Sequence, residues 1–185
     1  MSREENYSRI HVYLDPKDLR DAAGFIVGSL LISRNVRRDT VTIVALKHAL
    51  VIVAGDSVRQ LRPDEESSTG WIRAVLRGKH KGLGAQLAPR GELRAAIEGI
   101  LGARIADAES VFIVVNRGVN TLCRIKPRPG KPYIAYYARN ANHKPPERDV
   151  PVTVETWLPA GYAASTFNIM IDRAMAGLEP CPEIF

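Results

Sequence analysis

Cysteine and histidine are scarce in this chain, with two of the first and four of the second among 185 residues. Cys123 and Cys181 stand far apart, and His11, His48, His80 and His143 are scattered, so no group has the spacing of a metal site. The pattern argues against zinc, and no metal is expected. Two distant cysteines in a chain read as cytosolic are expected to be free thiols. Long apolar runs are missing too. The best candidate, Ala22 to Ile32, is broken by Gly24, Gly28 and Ser29, and no run reaches the roughly 20 apolar residues that cross a bilayer. The opening residues Met1-Ser2-Arg3-Glu4-Glu5-Asn6 hold no apolar signal core. These absences predict a cytoplasmic protein with no membrane partner. No Ser-His-Asp or Cys-His arrangement is visible by spacing, and Gly82-Leu83-Gly84 is too short for a phosphate fingerprint.

What is present is enough for one domain over residues 1–185 with a sizeable core, since 45% of the residues are apolar and 25% charged. Lys and Arg exceed Asp and Glu by 26 to 20, a net charge of +6. A positive surface favours a polyanionic partner, because neutralising phosphates supplies most non-specific affinity for nucleic acid.

Along the chain, strands and helices alternate. Tyr7 to Tyr13 reads as a short strand. Asp15-Pro16 is expected to cap a helix whose apolar face is Leu19, Ala22, Ala23, Ile26, Val27, Leu30 and Leu31. Val41 to Leu46 and Leu50 to Ala54 are β-branched runs joined closely enough for a hairpin, so part of the sheet is expected to be antiparallel. A second helix follows Pro63-Asp64, with Trp71, Ile72, Val75 and Leu76 on one face. The glycine-rich basic stretch from Arg77 to Gly84 has neither period and is expected to be a mobile loop. Helix is then expected from Arg90 to Leu101, strand from Val111 to Val115, and a stiff proline connector from Lys126 to Pro132. Tyr133 to Tyr137 and Val150 to Val154 read as strands. Tyr162 to Ala176 reads as a last helix with Phe167, Met170, Ile171, Ala174 and Leu178 inward and Ser165 and Thr166 near its start. Buried strands alternating with helices predict a layered α/β domain.

One segment concentrates chemistry. Asn35-Val36-Arg37-Arg38-Asp39-Thr40 joins a helix to a strand, and Gly55-Asp56-Ser57-Val58-Arg59-Gln60-Leu61-Arg62-Pro63-Asp64-Glu65 follows the next strand. Two guanidinium groups beside a carboxylate can hold phosphate and leave an anion near the chemistry, although such a run is also what a solvated turn looks like.

The order of these pieces resembles the archaeal tRNA pseudouridine N1-methyltransferases of the SPOUT (α/β-knot) superfamily. Arg37, Arg38 and Asp39 match the family's arginine-arginine-aspartate segment, and Asp56, Arg59, Pro63, Asp64 and Glu65 match its second segment. The resemblance implies a SPOUT-type α/β domain with a C-terminal trefoil knot, S-adenosyl-L-methionine as cofactor, tRNA as partner and a homodimer. It also implies N1-methylation of a pseudouridine in the tRNA T-loop. On that basis Asp39 and Arg38 are the catalytic candidates, and Arg37, Arg38, Arg59 and Arg62 the RNA-binding ones. Three loops would hold the cofactor: Val115, Asn116 and Gly118 in the first, Tyr137 and Arg139 in the second, and Leu158, Pro159, Ala160 and Ala163 in the third. Pro180-Cys181-Pro182-Glu183-Ile184 ends the chain much as in relatives. The second loop departs from the family, which carries Gly-Asp and a glycine-rich turn where this chain has Tyr137-Ala138-Arg139-Asn140. A tyrosine ring projecting there would fill ligand space, which supports an alternative: a divergent SPOUT-fold protein that binds RNA without methylating it. Small residues at Gly24 and Gly28, with Phe167 and Met170 of the last helix, are the expected dimer faces.

Overall fold

The computed structural model describes residues 7–32, 35–115, 118–128, 130–147 and 150–181. Its strands are β1 (Arg9–Leu14), β2 (Leu31–Ile32), β3 (Asn35–Val36), β4 (Thr40–Ala45), β5 (Ala49–Ala54), β6 (Ala85–Pro89), β7 (Glu109–Val115), β8 (Tyr133–Ala138) and β9 (Val152–Thr156). Its helices are α1 (Leu19–Leu30), α2 (Glu65–Ala74), α3 (His80–Leu83), α4 (Leu93–Leu101) and α5 (Ala160–Met175). Seven strands form one sheet in the order β6-β5-β4-β1-β8-β7-β9, and β2 and β3 make a separate ribbon. The five strands from β4 to β9 in that order are parallel, whereas β5 and β6 pair antiparallel. The hairpin expected around Lys47 to Ala49 is present.

Parallel strands are covered on both faces, which is why β1 and β8 are buried at all six positions each. On one face Tyr13, Val44, Val53, Ile113 and Tyr137 pack against Ala22, Phe25 and Ile26 of α1, Trp71 and Ile72 of α2, and Phe167 and Ile171 of α5. On the other, Ile10, Val12, Ile43, Phe112 and Tyr136 meet Leu93 and Ile97 of α4. The result is a three-layer α/β sandwich. No helix among the described residues is long and apolar enough to cross a membrane.

Several local expectations are corrected. The cap of α1 is Asp18, whose carboxylate accepts from the amides of Arg20 and Asp21 at 2.9 Å each. Asp15 instead takes a left-handed turn (φ +51°), held by both terminal nitrogens of Arg90 at 3.1 Å. The stretch 77–84 is not a loop: it continues α2 through a kinked turn at 75–79 into α3, and the next five residues form β6. The last helix begins at Ala160, two residues before the expected start, so Ser165 lies inside it, and Leu178 points outward at 54% exposure. Cys123 and Cys181 are not free thiols but a disulfide, with their Cα atoms 5.6 Å apart.

Glycine 28 decides how the helices cross. A Cβ there would run into the backbone of Gly161, and one on Gly161 would meet the carbonyl of Gly24. With neither present, α1 and α5 touch backbone to backbone, and Ser165 donates to the Gly28 carbonyl at 2.9 Å. The small-residue face expected to meet a second copy is used, at Gly28, within the chain.

Candidate functional site

At the edge where β1, β4 and β8 begin, two arginines and two aspartates interlock. Arg9 is the first residue of β1 and its side chain is 4% exposed, so its charge requires partners. It has Asp172 of α5 at 2.6 Å, Asp39 at 3.4 Å, and the carbonyl and side-chain oxygens of Asn168 at 3.4 Å each. Arg37 joins the cluster through Asp172, at 2.7 Å, and is mostly buried. Asp39 also accepts from the Ser8 hydroxyl. Burial pushes its pKa up, but the Ser8 hydrogen bond and the Arg9 charge outweigh that and hold its carboxyl below the ordinary carboxylate range. An acid held so low is an orienting anion at neutral pH and a weak proton acceptor.

Below the cluster lies a buried polar chain. Asn168 donates its amide to the Ser29 carbonyl at 2.9 Å, which leaves its oxygen to accept from His11 Nε2 at 3.1 Å. His11 Nδ1 is then an acceptor, and the Tyr137 hydroxyl donates to it at 2.9 Å. Burial, reinforced by the charges of Arg9 and Arg37 against the Asn168 hydrogen bond, pushes His11 down to about 3, so the ring is neutral. Burial likewise pushes the Tyr137 hydroxyl well above its usual range and keeps it a donor. Tyr137 is fully buried, its ring 5.0 Å from that of Phe25. The expectation that this ring projects from the end of the strand into ligand space is corrected: it lies in the core between the sheet and α1.

The other site candidates divide between two edges. Arg38 and Arg59 are exposed, the first beside the cluster and the second on the turn after β5, and Arg62 is exposed two residues before Asp64, the cap of α2. At the opposite edge, β8, β7 and β9 are neighbours in register, Val114 facing Ala138 and Val115 facing Thr156. Three chain exits therefore stand side by side, carrying Val115, then Arg139, then Leu158 and Pro159. Arg139 is exposed, Leu158 half-buried, and Ala160 and Ala163 are buried at the start of α5. Gly118 is exposed on the first exit. Asn116 and Arg117, like Pro182 to Ile184, lie outside the described residues. The second exit closes into a turn in which Asn140 accepts from the Asn142 amide at 3.0 Å.

The third exit opens on a cleft of about 640 Å³ between α1, α2 and α5. Pro159, Gly161 and Tyr162 line it with Val27, Leu31 and Leu61, and Asp21 and the Arg20–Glu65 ion pair supply its charge. That volume suits a small organic ligand. Adenosylmethionine asks for flat apolar walls with hydrogen-bonding edges, and Pro159, Val27, Leu31 and Leu61 are walls of that kind.

The two edges are not one site within a chain. Arg9 faces Tyr133 and Leu14 faces Ala138, five residues on, so at about 3.3 Å per residue the edges are about 17 Å apart. Asp39 cannot reach the three exits of its own chain. Sequence reasoning missed Arg9, His11, Asn168 and Asp172. The only signal was alternation in Arg9-Ile10-His11-Val12, which reads as a strand with one wet face, whereas the polar face is sealed by α5.

No protein-family model matches the chain, and no curated protein matches it in sequence.

Proposed function

We propose that this protein is a SPOUT-type RNA methyltransferase that transfers a methyl group from S-adenosyl-L-methionine to N1 of a pseudouridine in tRNA. The observation that carries the reading is the adjacency of the exits at 115, 138 and 156 on three neighbouring parallel strands, since ligands of open α/β sheets bind outside the carboxyl ends of strands. Val115, Asn116 and Gly118, Arg139, and Leu158 to Ala160 with Ala163 would hold the cofactor, which supplies an electrophilic methyl on sulfur. The chain would contribute positioning and charge. Arg38 fixes a phosphate or the imide oxygen, and Asp39, ionised at neutral pH, orients the N1–H, whose proton passes to water as N1 takes the methyl. Arg37 belongs to the frame that holds Asp39, while Arg38, Arg59 and Arg62 meet the RNA backbone.

Because the two edges are about 17 Å apart, the complete site needs Asp39 from a second copy, and a homodimer follows. Ile32 and Tyr162 stand exposed on the cleft at 42% and 69%, and Ile169 of α5 is exposed at 51%, apolar surface suited to that partner. A C-terminal knot agrees with β9 lying outside β7 and with the disulfide that ties the β7–β8 connection to the segment after α5. Soluble, cytoplasmic residence goes with the tRNA partner. An intracellular disulfide is then either a redox-responsive bond or one of the kind common in hyperthermophile proteins.

The second reading, RNA binding without methyl transfer, draws on the turn at Asn140, which closes on itself and lacks the family's glycines. Thermal melting with S-adenosylmethionine separates the two. A ligand at a hundredfold excess over Kd adds about 2.7 kcal/mol of stability, and methyl incorporation into pseudouridine-containing tRNA should accompany it. No shift and no incorporation, with tRNA binding retained, leaves the second reading. Arg38→Ala should weaken tRNA binding and lower the salt slope by about one unit.

A further inference from the structure

The segment expected to be a mobile basic loop is an ordered lobe. After α2 the chain turns through 75–79, kinks at Gly78 (φ +95°) and doubles back as α3. Three hydrogen bonds pin this unit to the turn after β5: Arg59 amide to Leu83 carbonyl at 3.0 Å, Trp71 indole to Arg59 carbonyl at 2.9 Å, and Ser57 hydroxyl to Gly84 carbonyl at 3.2 Å. Gly84 lies so close to Ser57 that a Cβ would strike its carbonyl. The lobe carries Arg77, Lys79 and Lys81 next to Arg59, all four exposed and none in an ion pair among the described residues.

The carboxylates nearby are mostly engaged. Asp56 accepts from Tyr7 at 3.1 Å, Asp64 caps α2, and Glu65 is paired with Arg20 at 2.5 Å, which leaves Glu66 exposed. The lobe also continues the edge that bears Arg38. Val53 faces Ala85 and Val41 faces Ala54, the Gly55 amide donates to the Thr40 carbonyl at 2.9 Å, and the Arg37 carbonyl presses on Gly55. Because the backbone that carries these cations is already held by hydrogen bonds, only their side chains have to be ordered on meeting a polyanion. None of the large exposed apolar residues (Ile32, Val119, Val152, Trp157, Tyr162, Ile169, Met175 and Leu178) falls on the lobe. A surface that inserted into lipid would present some, so the phosphate backbone of RNA fits better than a membrane.

We propose that Arg59, Arg77, Lys79 and Lys81 form a preformed phosphate-binding surface, continuous with Arg38, that grips RNA beyond the target nucleotide. The proposal rests on the reading that the partner is RNA. The lobe supplies affinity and not chemistry, so losing Lys79 and Lys81 raises KM for tRNA and leaves kcat unchanged.

The test measures binding of a tRNA transcript across a salt series for wild type, Lys79→Ala/Lys81→Ala, and a control Lys17→Ala/Lys47→Ala at the opposite edge of the sheet. Two lost phosphate contacts should lower the salt slope by about 1.4–1.8 units and weaken binding roughly tenfold near physiological salt. Melting temperature should stay unchanged, because both lysines are exposed and unpaired, and the control should bind as wild type does. A lobe variant with wild-type slope, beside an Arg38→Ala variant that loses affinity, would overturn the lobe and leave the RNA reading standing. An equal loss in lobe and control variants would also overturn it, as bulk charge. A wild type that binds vesicles of anionic lipid but no tRNA would remove both.

Discussion

His11 is the residue whose environment has the clearest measurable consequence. Its folded pKa is depressed to about 3, while in the unfolded chain it titrates near 6.5. The unfolded state therefore binds the extra proton first as pH falls. Stability contributed by the neutral ring is present above about pH 6.5 and is lost on descending toward 3, at up to about 1.4 kcal/mol per pH unit. Asp39, also held low, adds a loss of the same sign further down, as pH falls through the carboxylate range. Urea melts from pH 8 to 4 should show the decline, and His11→Gln should flatten its upper part. A wild-type stability that is level between pH 7 and 5 would contradict the buried neutral ring. Tyr137 gives a second reading of the same chain. Tyr137→Phe removes only a hydroxyl but strands His11 Nδ1, at a cost of about 1–3 kcal/mol. Tyr137→Gly would open a core cavity and cost more, with no ligand site gained.

At the scale of elements, the crossing of α1 and α5 rests on absent side chains. Gly28→Ala should force two backbones apart and cost roughly 1–3 kcal/mol, as overpacking does. Gly24 has open space where its Cβ would stand, so Gly24→Ala should gain up to about 1 kcal/mol of helix propensity in the monomer. Denaturant midpoints with unchanged m would read both, and equal effects from the two substitutions would sink the distinction. From sequence the two glycines looked alike. What separates them is whose Cβ would point at Gly161, and that depends on where a helix more than a hundred residues later is laid. The elements themselves were more legible. The cap of α2 at Asp64 and the hairpin of β4 and β5 follow from residues within a few positions of each other, which is why they were read correctly. β6 and α3 were missed because glycines and lysines mask the period, and the three hydrogen bonds to 57–59 that order them come from outside the segment.

Across the whole molecule, the Cys123–Cys181 bond joins residues 58 apart in sequence and closes a ring that contains β8, β9 and α5. In the chain-entropy account such a ring stabilises the fold by about 4 kcal/mol through restriction of the unfolded chain. Melts with and without a dithiol reductant should differ accordingly, and Cys123→Ser should match the reduced wild type. If all three melt together, the bond does not form in solution and the free-thiol expectation returns.

Residues close in sequence settled what could be settled early: an α/β alternation, strands buried on both faces, a basic surface, and a loop of arginines and an aspartate beside a strand. Hydrophobic periodicity, caps and turns are short-range, so the sequence carries them openly. The partners of the polar groups were decided only by packing. Arg37 found Asp172 135 residues away, His11 found Tyr137 126 away and Asn168 157 away, and the two cysteines met across 58. The first three of these pairings exist because burying α5 against α1 and β1 is worth more than leaving those groups in water, and once buried they must pair. The same burial turned the Tyr137 ring inward and set Asp39 about 17 Å from the exits of its own chain, a separation that no local pattern encodes.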